Sequence, residues 1–245
     1  MTDSLRQAWE AEAEAWAAWA RAPRHDAFSH VTLPELRPLL PEPSGWTLDL
    51  GAGEGRMGRA LAAAGHRVLG LDSSPTLTRL AATHDQPVES VVADLAALPL
   101  RAGSADLAVA CLSLQDVDDL DGAVREAARV LHPGGRLVVA IVHPINSAGR
   151  FAAPSPDAPF VITGSYFDSF RYSDHIERGG YTMTFHSVHH SLERYSRALE
   201  AAGFLIEALR EPAWRDAGDE TSTEGWHRIP CFCLLRARAP SSPAR

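Results

Sequence analysis

The sequence contains no lysine: its 23 basic side chains are all arginine. That absence excludes Schiff-base catalysis and a phosphate loop built on Gly-Lys-Ser/Thr. Cysteine is nearly as scarce, with Cys111, Cys231 and Cys233 as the whole set and no C-x-x-C pair. An odd, sparse set without a signal peptide fits a reducing cytoplasm, which is the expected location. In CFCLL, alternation predicts that Cys231 and Cys233 share one strand face and pack there. No apolar run approaches the roughly 20 residues that a membrane-spanning helix needs. Positive charge is short as well. A formal net charge of -8 argues against a nucleic-acid partner held by bulk electrostatics.

What remains is a chain of 245 residues, 45% apolar, long enough to bury a sizeable core. Residues 3–22 read as an N-terminal helix with Trp9, Trp16 and Trp19 at helical spacing, ended by Pro23. Together with the proline-containing stretch behind it, this segment (1–45) forms a helical lid. From Trp46 the pattern alternates strand and helix: TLDLG, RMGRALAAAG, HRVLGLD, PTLTRLAATH, VESVVAD, ADLAVACLSL, GAVREAARVL, RLVVAIVH. Such alternation predicts right-handed βαβ units on a parallel sheet. Residues 145–185 interrupt the rhythm with a long Pro-, Gly- and aromatic-rich insertion. A helix, LERYSRALEAAGF, and two strands, LIEALREP and PCFCLLRAR, complete a main domain over 46–238. The tail 239–245 reads as disordered.

The stretch LDLGAGEGRMG carries two overlapping cofactor patterns. Gly53, Gly55 and Gly58 fit the G-x-G-x-x-G of dinucleotide folds, whereas Asp49 with Gly51, Gly53 and Gly55 fits D-x-G-x-G-x-G. Asp72, at the end of the second strand, suits a ribose under either pattern. Asp49 separates them. A carboxylate before the loop opposes a pyrophosphate but favours the ammonium and sulfonium of S-adenosyl-methionine. Asp94, ending the third strand, is placed to accept from an adenine amino group. The alternative for Asp49 and Asp94 is capping of the following turns.

With LDLGAGEG, GLDSSP, ADLAALPL, DLAVACLSLQDVDD and ARVLHPGGRLVVAIVHP in this order, the chain resembles a class I S-adenosyl-methionine-dependent methyltransferase of the small-molecule type. The motifs run from about residue 46 to 144, and the resemblance extends over roughly 25 to 238. It implies an α/β fold: a Rossmann-like, doubly wound, mostly parallel seven-stranded sheet with an N-terminal lid and an insertion after strand 5. It also implies that Asp49, Gly51, Ala52, Gly53 and Gly55 surround the methionine moiety and that Asp72 and Ser73 hold the ribose. Asp94 and Leu95 would frame the adenine, with Cys111 and Leu112 near the sulfonium. For Cys111, strand-end packing is an equal alternative. The segment His25–Phe28 resembles the part of such enzymes that closes over the cofactor.

A methyl acceptor bearing a proton gains from a general base, and His143, at the end of the fifth strand, is the first candidate. His186, in MTFHSVHH, is the second. The H-x-x-H-H pattern lacks the helical H-E-x-x-H arrangement of a zinc site, so no metal is expected. The acidic run Asp116–Asp121 precedes a helix and reads as capping. Gln115 faces the acceptor in this reading, and the aromatic insertion, Tyr166 and Tyr172 included, supplies substrate contacts. The expected partner is a small-molecule acceptor methylated on oxygen or nitrogen, with no nucleic acid or membrane, for a monomer or homodimer. CLSL stands where an N-P-P-Y-type motif would mark base methylation. Two alternatives stay open: a cofactor-binding module without transfer activity, and a nicotinamide-dependent oxidoreductase, which lacks the lysine of a Tyr-x-x-x-Lys pair.

Overall fold

The computed structural model describes residues 4–22, 26–214 and 225–241. The N-terminal stretch folds as two helices rather than one, α1 (Leu5–Ala11) and α2 (Ala13–Arg21), broken at Glu12. No glycine or proline marks that break, so apolar periodicity reads straight across it. A π-helical turn at Phe28–Thr32 leads into α3 (Leu33–Leu36). Then follow β1 (Trp46–Leu50), α4 (Arg56–Ala63), β2 (Arg67–Asp72), α5 (Pro75–Ala82), β3 (Ser90–Val92) and β4 (Ala105–Cys111). The central unit ends with α6 (Leu120–Val130) and β5 (Leu131–Val142).

The insertion is more ordered than its composition suggests. It forms α7 (Pro144–Ala148), a short ribbon of β6 (Gly149–Phe151) and β7 (Phe160–Ile162), and a long hairpin of β8 (Phe170–Arg178) and β9 (Tyr181–His189). Gly179 and Gly180 turn that hairpin with φ of 57° and 81°, the two left-handed residues of a tight β-turn. Most of β8 is exposed, which hid the alternation of a half-buried strand. The chain closes with α8 (Leu192–Ala201), β10 (Leu205–Arg210) and β11 (Phe232–Arg238).

Seven strands make one sheet in the order β10-β11-β5-β4-β1-β2-β3. Strands β1 to β5 pair in parallel, whereas β11 runs antiparallel to both β5 and β10. This is the doubly wound, mostly parallel architecture expected. The chain leaves β1 toward β2 and later returns on the other side at β4. The sheet therefore opens a crevice at the C-terminal ends of β1 and β4.

One core, with Leu120, Val124 and Leu199 from α6 and α8, covers one face, and Leu36, Met57 and Leu61 from α3 and α4 cover the other. Each fully buried Leu among them contributes about 1.5–3 kcal/mol. Cys233 packs in the first core and Cys231 in the second. The expected shared face fails because Cys231 lies before β11 begins, where strand alternation does not apply. Of the expected disordered tail, Ala239 and Pro240 are hydrogen-bonded to Gly135 and Gly134; residues 242–245 lie outside the described residues. Among the described residues no helix is long and apolar enough to cross a membrane.

Candidate active site

After Leu50 the chain turns through Gly51, Gly53 and Gly55, with φ of 75°, 56° and 91°, into α4. A side chain at Gly51 would place its Cβ 2.3 Å from Ser113 Cβ. Ser113 holds this close approach by donating to the Leu50 carbonyl at 2.6 Å. It follows Leu112, whose left-handed φ of 57° bends the chain across the mouth of the crevice. Asp72 then ties β2 to the loop: Gly53 N–H donates to one oxygen at 2.7 Å and Ser74 N–H to the other at 2.9 Å. Burial raises the Asp72 pKa, and these two amides oppose the rise.

Above this loop lies a cavity of about 490 Å³, inside the roughly 300–1,000 Å³ range of small-molecule sites. Gly51, Ala52 and Gly53 line it from the first strand end, and Asp72 and Ser73 from the second. Asp94 and Leu95 follow from the third, with Cys111 and Leu112 from the fourth. Asp94 keeps one oxygen on the Ala96 amide at 2.8 Å, so it caps its turn while facing the cavity. Burial pushes the Cys111 thiol up to about 12, which leaves it protonated and unreactive.

Asp49 is different. It sits behind the loop, 1% exposed and outside the cavity wall, and Gly58 N–H approaches it too loosely for a hydrogen bond of ordinary geometry. Burial, reinforced by Asp72, pushes its pKa up to about 7. Gly55 likewise leaves the wall to start α4. A Cβ at Gly58 would stand 2.8 Å from Val88 Cγ1, so that glycine serves helix packing.

The lid and the hairpin meet over the cavity. Trp9, Trp16 and Trp19 surround Phe185 of β9 with edge contacts at 6.4, 6.0 and 5.6 Å, and Trp9 Nε1 donates to the His186 carbonyl at 2.8 Å. Arg56 lies between Trp16 and Phe28, 4.6 and 4.3 Å from their ring centres, and pairs with Asp26. Glu54, buried, holds Arg21 of α2 and Arg59 of α4. Glu10 accepts from Ser74 and Thr76 at the start of α5. His25 of the expected closing segment lies outside the described residues; Asp26, Ala27 and Phe28 line the cavity.

The far end is polar. Gln115, Asp116, Asn146, Ser147, Tyr172 and Ser187 converge there from the 3-10 turn after β4, from α7 and from the hairpin. Ser187 donates to Asp116 at 2.6 Å, and Tyr172 lies on the same wall. Burial raises the pKa of Tyr172.

Residues 48–139 match the methyltransferase-domain family. A ubiquinone biosynthesis O-methyltransferase from a Methylobacterium species is 33% identical over 203 residues, 72% of this chain and 78% of the relative. The chain belongs to the S-adenosyl-methionine-dependent methyltransferases. The crystal structure of an S-adenosyl-methionine-dependent methyltransferase from Mesorhizobium loti is 29% identical, with a TM-score of 0.68 over 87% of this chain and 100% of that one. A demethylmenaquinone methyltransferase from Tropheryma whipplei is 37% identical over 110 residues. That match takes in 44% of each protein, so the chain spans less than half the length of the first curated relatives it matches.

S-adenosyl-methionine is the cofactor, and the residues present fit it. Asp49 is a buried carboxylate with neither oxygen hydrogen-bonded, and a cationic group in front of the loop offsets it. The glycine loop leaves backbone room, and Asp72 and Asp94 follow on the cavity wall at the next two strand ends.

The methyltransferase's expected bases fall elsewhere. His143 is buried as the cap of α7, with Nδ1 accepting from Ile145 N–H at 3.0 Å and Nε2 bonded to Glu211 at 2.8 Å. Both ring nitrogens are engaged and the side chain is absent from the cavity wall. His186 alternates onto the opposite face of the hairpin from Phe185 and Ser187, where it meets Ser173 at 2.9 Å. Tyr166 is also off the wall; its hydroxyl accepts from Leu192 N–H at the start of α8.

His189 and His190 turn to Ser147 and Ser169 respectively. Among the described residues no group of three or more His, Cys, Asp and Glu is arranged to hold a metal ion. Asp119 caps α6 as the acidic run suggests, but Asp116 does not: it reaches the cavity. Asp116, Asn146, Ser147 and Ser187 are the polar groups that sequence reasoning missed. The paired Gly179-Gly180, a tight-turn signal, could have disclosed the hairpin that carries Ser187.

Proposed function

We propose that this chain transfers the methyl group of S-adenosyl-methionine to an oxygen or nitrogen of a small acceptor with a flat, apolar face. The observation that carries the reading is one continuous cavity. It runs from the glycine loop and Asp72 past Leu112 to aromatic rings of the lid and a polar end. When bound, S-adenosyl-methionine supplies a methyl group on a sulfonium, already an activated leaving group.

The chain's own residues then have three tasks. Asp72, Asp94 and the loop hold and orient the cofactor. Trp9, Trp16 and Trp19 close the cavity against water and offer ring faces to a planar acceptor. The polar end orients the acceptor atom, and such alignment by itself provides several orders of magnitude in rate. The Methylobacterium relative, an O-methyltransferase of ubiquinone biosynthesis, supports an oxygen acceptor.

The test is a panel of phenols, catechols, hydroquinones and aromatic amines incubated with S-adenosyl-methionine, read as S-adenosyl-homocysteine by mass spectrometry. Product with at least one planar acceptor is expected. Tight cofactor binding with no product across the panel would overturn the reading in favour of a binding module.

A further inference from the structure

At the far end of the sheet from the cofactor cavity, three arginines converge on one glutamate. Glu207 Oε2 accepts from Arg136 Nε at 2.8 Å and from Arg236 Nε at 3.0 Å. Its Oε1 lies 3.7 Å from Arg238 Nε, an ion pair too long for a hydrogen bond.

The strand register explains the meeting. Arg136 of β5 and Arg238 of β11 are direct cross-strand partners, and Arg236 stands two residues before Arg238. All three therefore share one face of the sheet. On β10 the register slips between Ile206, opposite Ala237, and Ala208, opposite Arg236. Such a bulge sets Glu207 and Ala208 against one partner and turns Glu207 onto the arginine face.

Three guanidinium charges against one carboxylate leave two positive charges uncompensated, in a chain of formal net charge -8. The donors are not exhausted either. Arg136 Nη1 donates to the Gly134 carbonyl, and Arg236 Nη1 reaches the Leu39 carbonyl only at 3.5 Å. Arg238 has Glu207 as its sole ion-pair partner among the described residues and donates no hydrogen bond there.

Beside the cluster lies a hollow of about 390 Å³, with Arg136, Arg236, His132 and Gly134 on its wall. A Cβ on Gly134 would meet nothing within 4 Å, so the rim is open to a solute. Asp106 also lines the hollow, but it packs against the Gly45 backbone and forms no ion pair with the three arginines.

We propose that this hollow binds a dianionic phosphate group, as inorganic phosphate or as the monoester of a small metabolite. A planar guanidinium offers paired N–H donors that match phosphate oxygens. Charge decides against a carboxylate ligand: a dianion balances both uncompensated charges, and a carboxylate only one. Glu207 keeps the guanidiniums gathered by their Nε atoms, while both Nη groups of Arg238 stay available to the anion. Val142 and Phe232, on the same two strands, line the cofactor cavity. At about 3.3 Å per residue they stand roughly 20 Å from the arginines. Phosphate therefore binds without displacing S-adenosyl-methionine.

The test is calorimetric titration of inorganic phosphate into the full chain, above the second ionisation of phosphate, with chloride holding the ionic strength constant. Saturable binding of one equivalent is expected. Arg238→Gln, at the partly exposed end of β11, should weaken it at least about tenfold, the worth of one charge-assisted contact. Saturating S-adenosyl-homocysteine should leave the phosphate affinity unchanged.

Glycerol 3-phosphate serves as the second probe. Binding as tight as that of phosphate assigns the site to monoesters, and its exclusion assigns the site to the free ion. No saturable phosphate binding, equal binding in Arg238→Gln, or displacement of phosphate by S-adenosyl-homocysteine would each overturn the proposal. An ion-pair network with no ligand gives the first of these results. Should Arg238→Gln fail to fold, Arg136→Gln carries the same expectation, and unchanged binding there overturns the proposal alone.

Discussion

The cofactor wall of the cavity is drawn in chain order from successive strand ends between Gly51 and Leu112. The wall proposed for the acceptor gathers Trp9, Trp16, Asp116, Ser147, Tyr172 and Phe185 from distant stretches. In the first, each functional residue sits where its own strand stops, so local sequence and function coincide. In the second, function arises only when the lid and the β8–β9 hairpin fold over the sheet. The difference separates what a sequence states locally from what only packing assembles.

If the two walls are distinct devices, damage to one should spare the other. The largest effect is expected at Gly51. A valine there needs φ near 75° and a Cβ placed 2.3 Å from Ser113, so S-adenosyl-homocysteine affinity should fall by more than about a hundredfold, roughly 2.7 kcal/mol. Circular dichroism should show the fold retained, and calorimetry the loss; near-normal affinity would break the distinction.

Phe185→Ala strikes the opposite wall. Removing the ring on which three tryptophans converge should cost about 2–3 kcal/mol in urea unfolding, below the usual loss for a fully buried Phe. Cofactor affinity should fall far less than in the Gly51 variant. A comparable loss would mean that lid and loop act as one unit.

Asp49 gives a subtler effect that depends on pH. Its folded pKa of about 7 exceeds the reference 3.8, so folding takes up a proton between those values. Stability from this group is present in full below the lower value and is lost as pH rises through the higher one. Asp49→Asn should therefore melt higher than wild type at pH 8 without ligand, with the gap closing as pH falls toward 4. Its affinity for S-adenosyl-homocysteine should drop, because no negative charge behind the loop then attracts the ligand's ammonium. A lower melting temperature at pH 8 would contradict the orphaned carboxylate.

His143→Ala should have the smallest effect. Loss of the α7 cap costs about 1 kcal/mol, read by thermal melting, and methyl transfer to any accepted phenol should continue at nearly the wild-type rate.

The comparison also explains what the sequence disclosed. The sheet, its order of alternation and the place of Gly51, Gly53, Asp72, Asp94 and Leu112 on the cavity wall were legible because each follows from a local pattern. Asp116 was hidden in an acidic run that caps a helix through Asp119, and one spacing cannot separate the two uses. Ser147 and Ser187 carry no signal of their own, and Tyr172 joins them only through the hairpin. His143 stood at the right strand end, but its two hydrogen bonds turn it away from the cavity. Such bonds are decided by Glu211, 68 positions away.

The measurement that bears most directly on the cofactor wall is calorimetric titration of S-adenosyl-homocysteine into wild type and Asp72→Ala. Asp72 joins the loop to β2 through Gly53 and Ser74 and faces the cavity where the ribose is assigned. Wild type should bind one equivalent, and the variant at least about tenfold more weakly, a loss of roughly 1.4 kcal/mol. Equal affinities in the two proteins would contradict it.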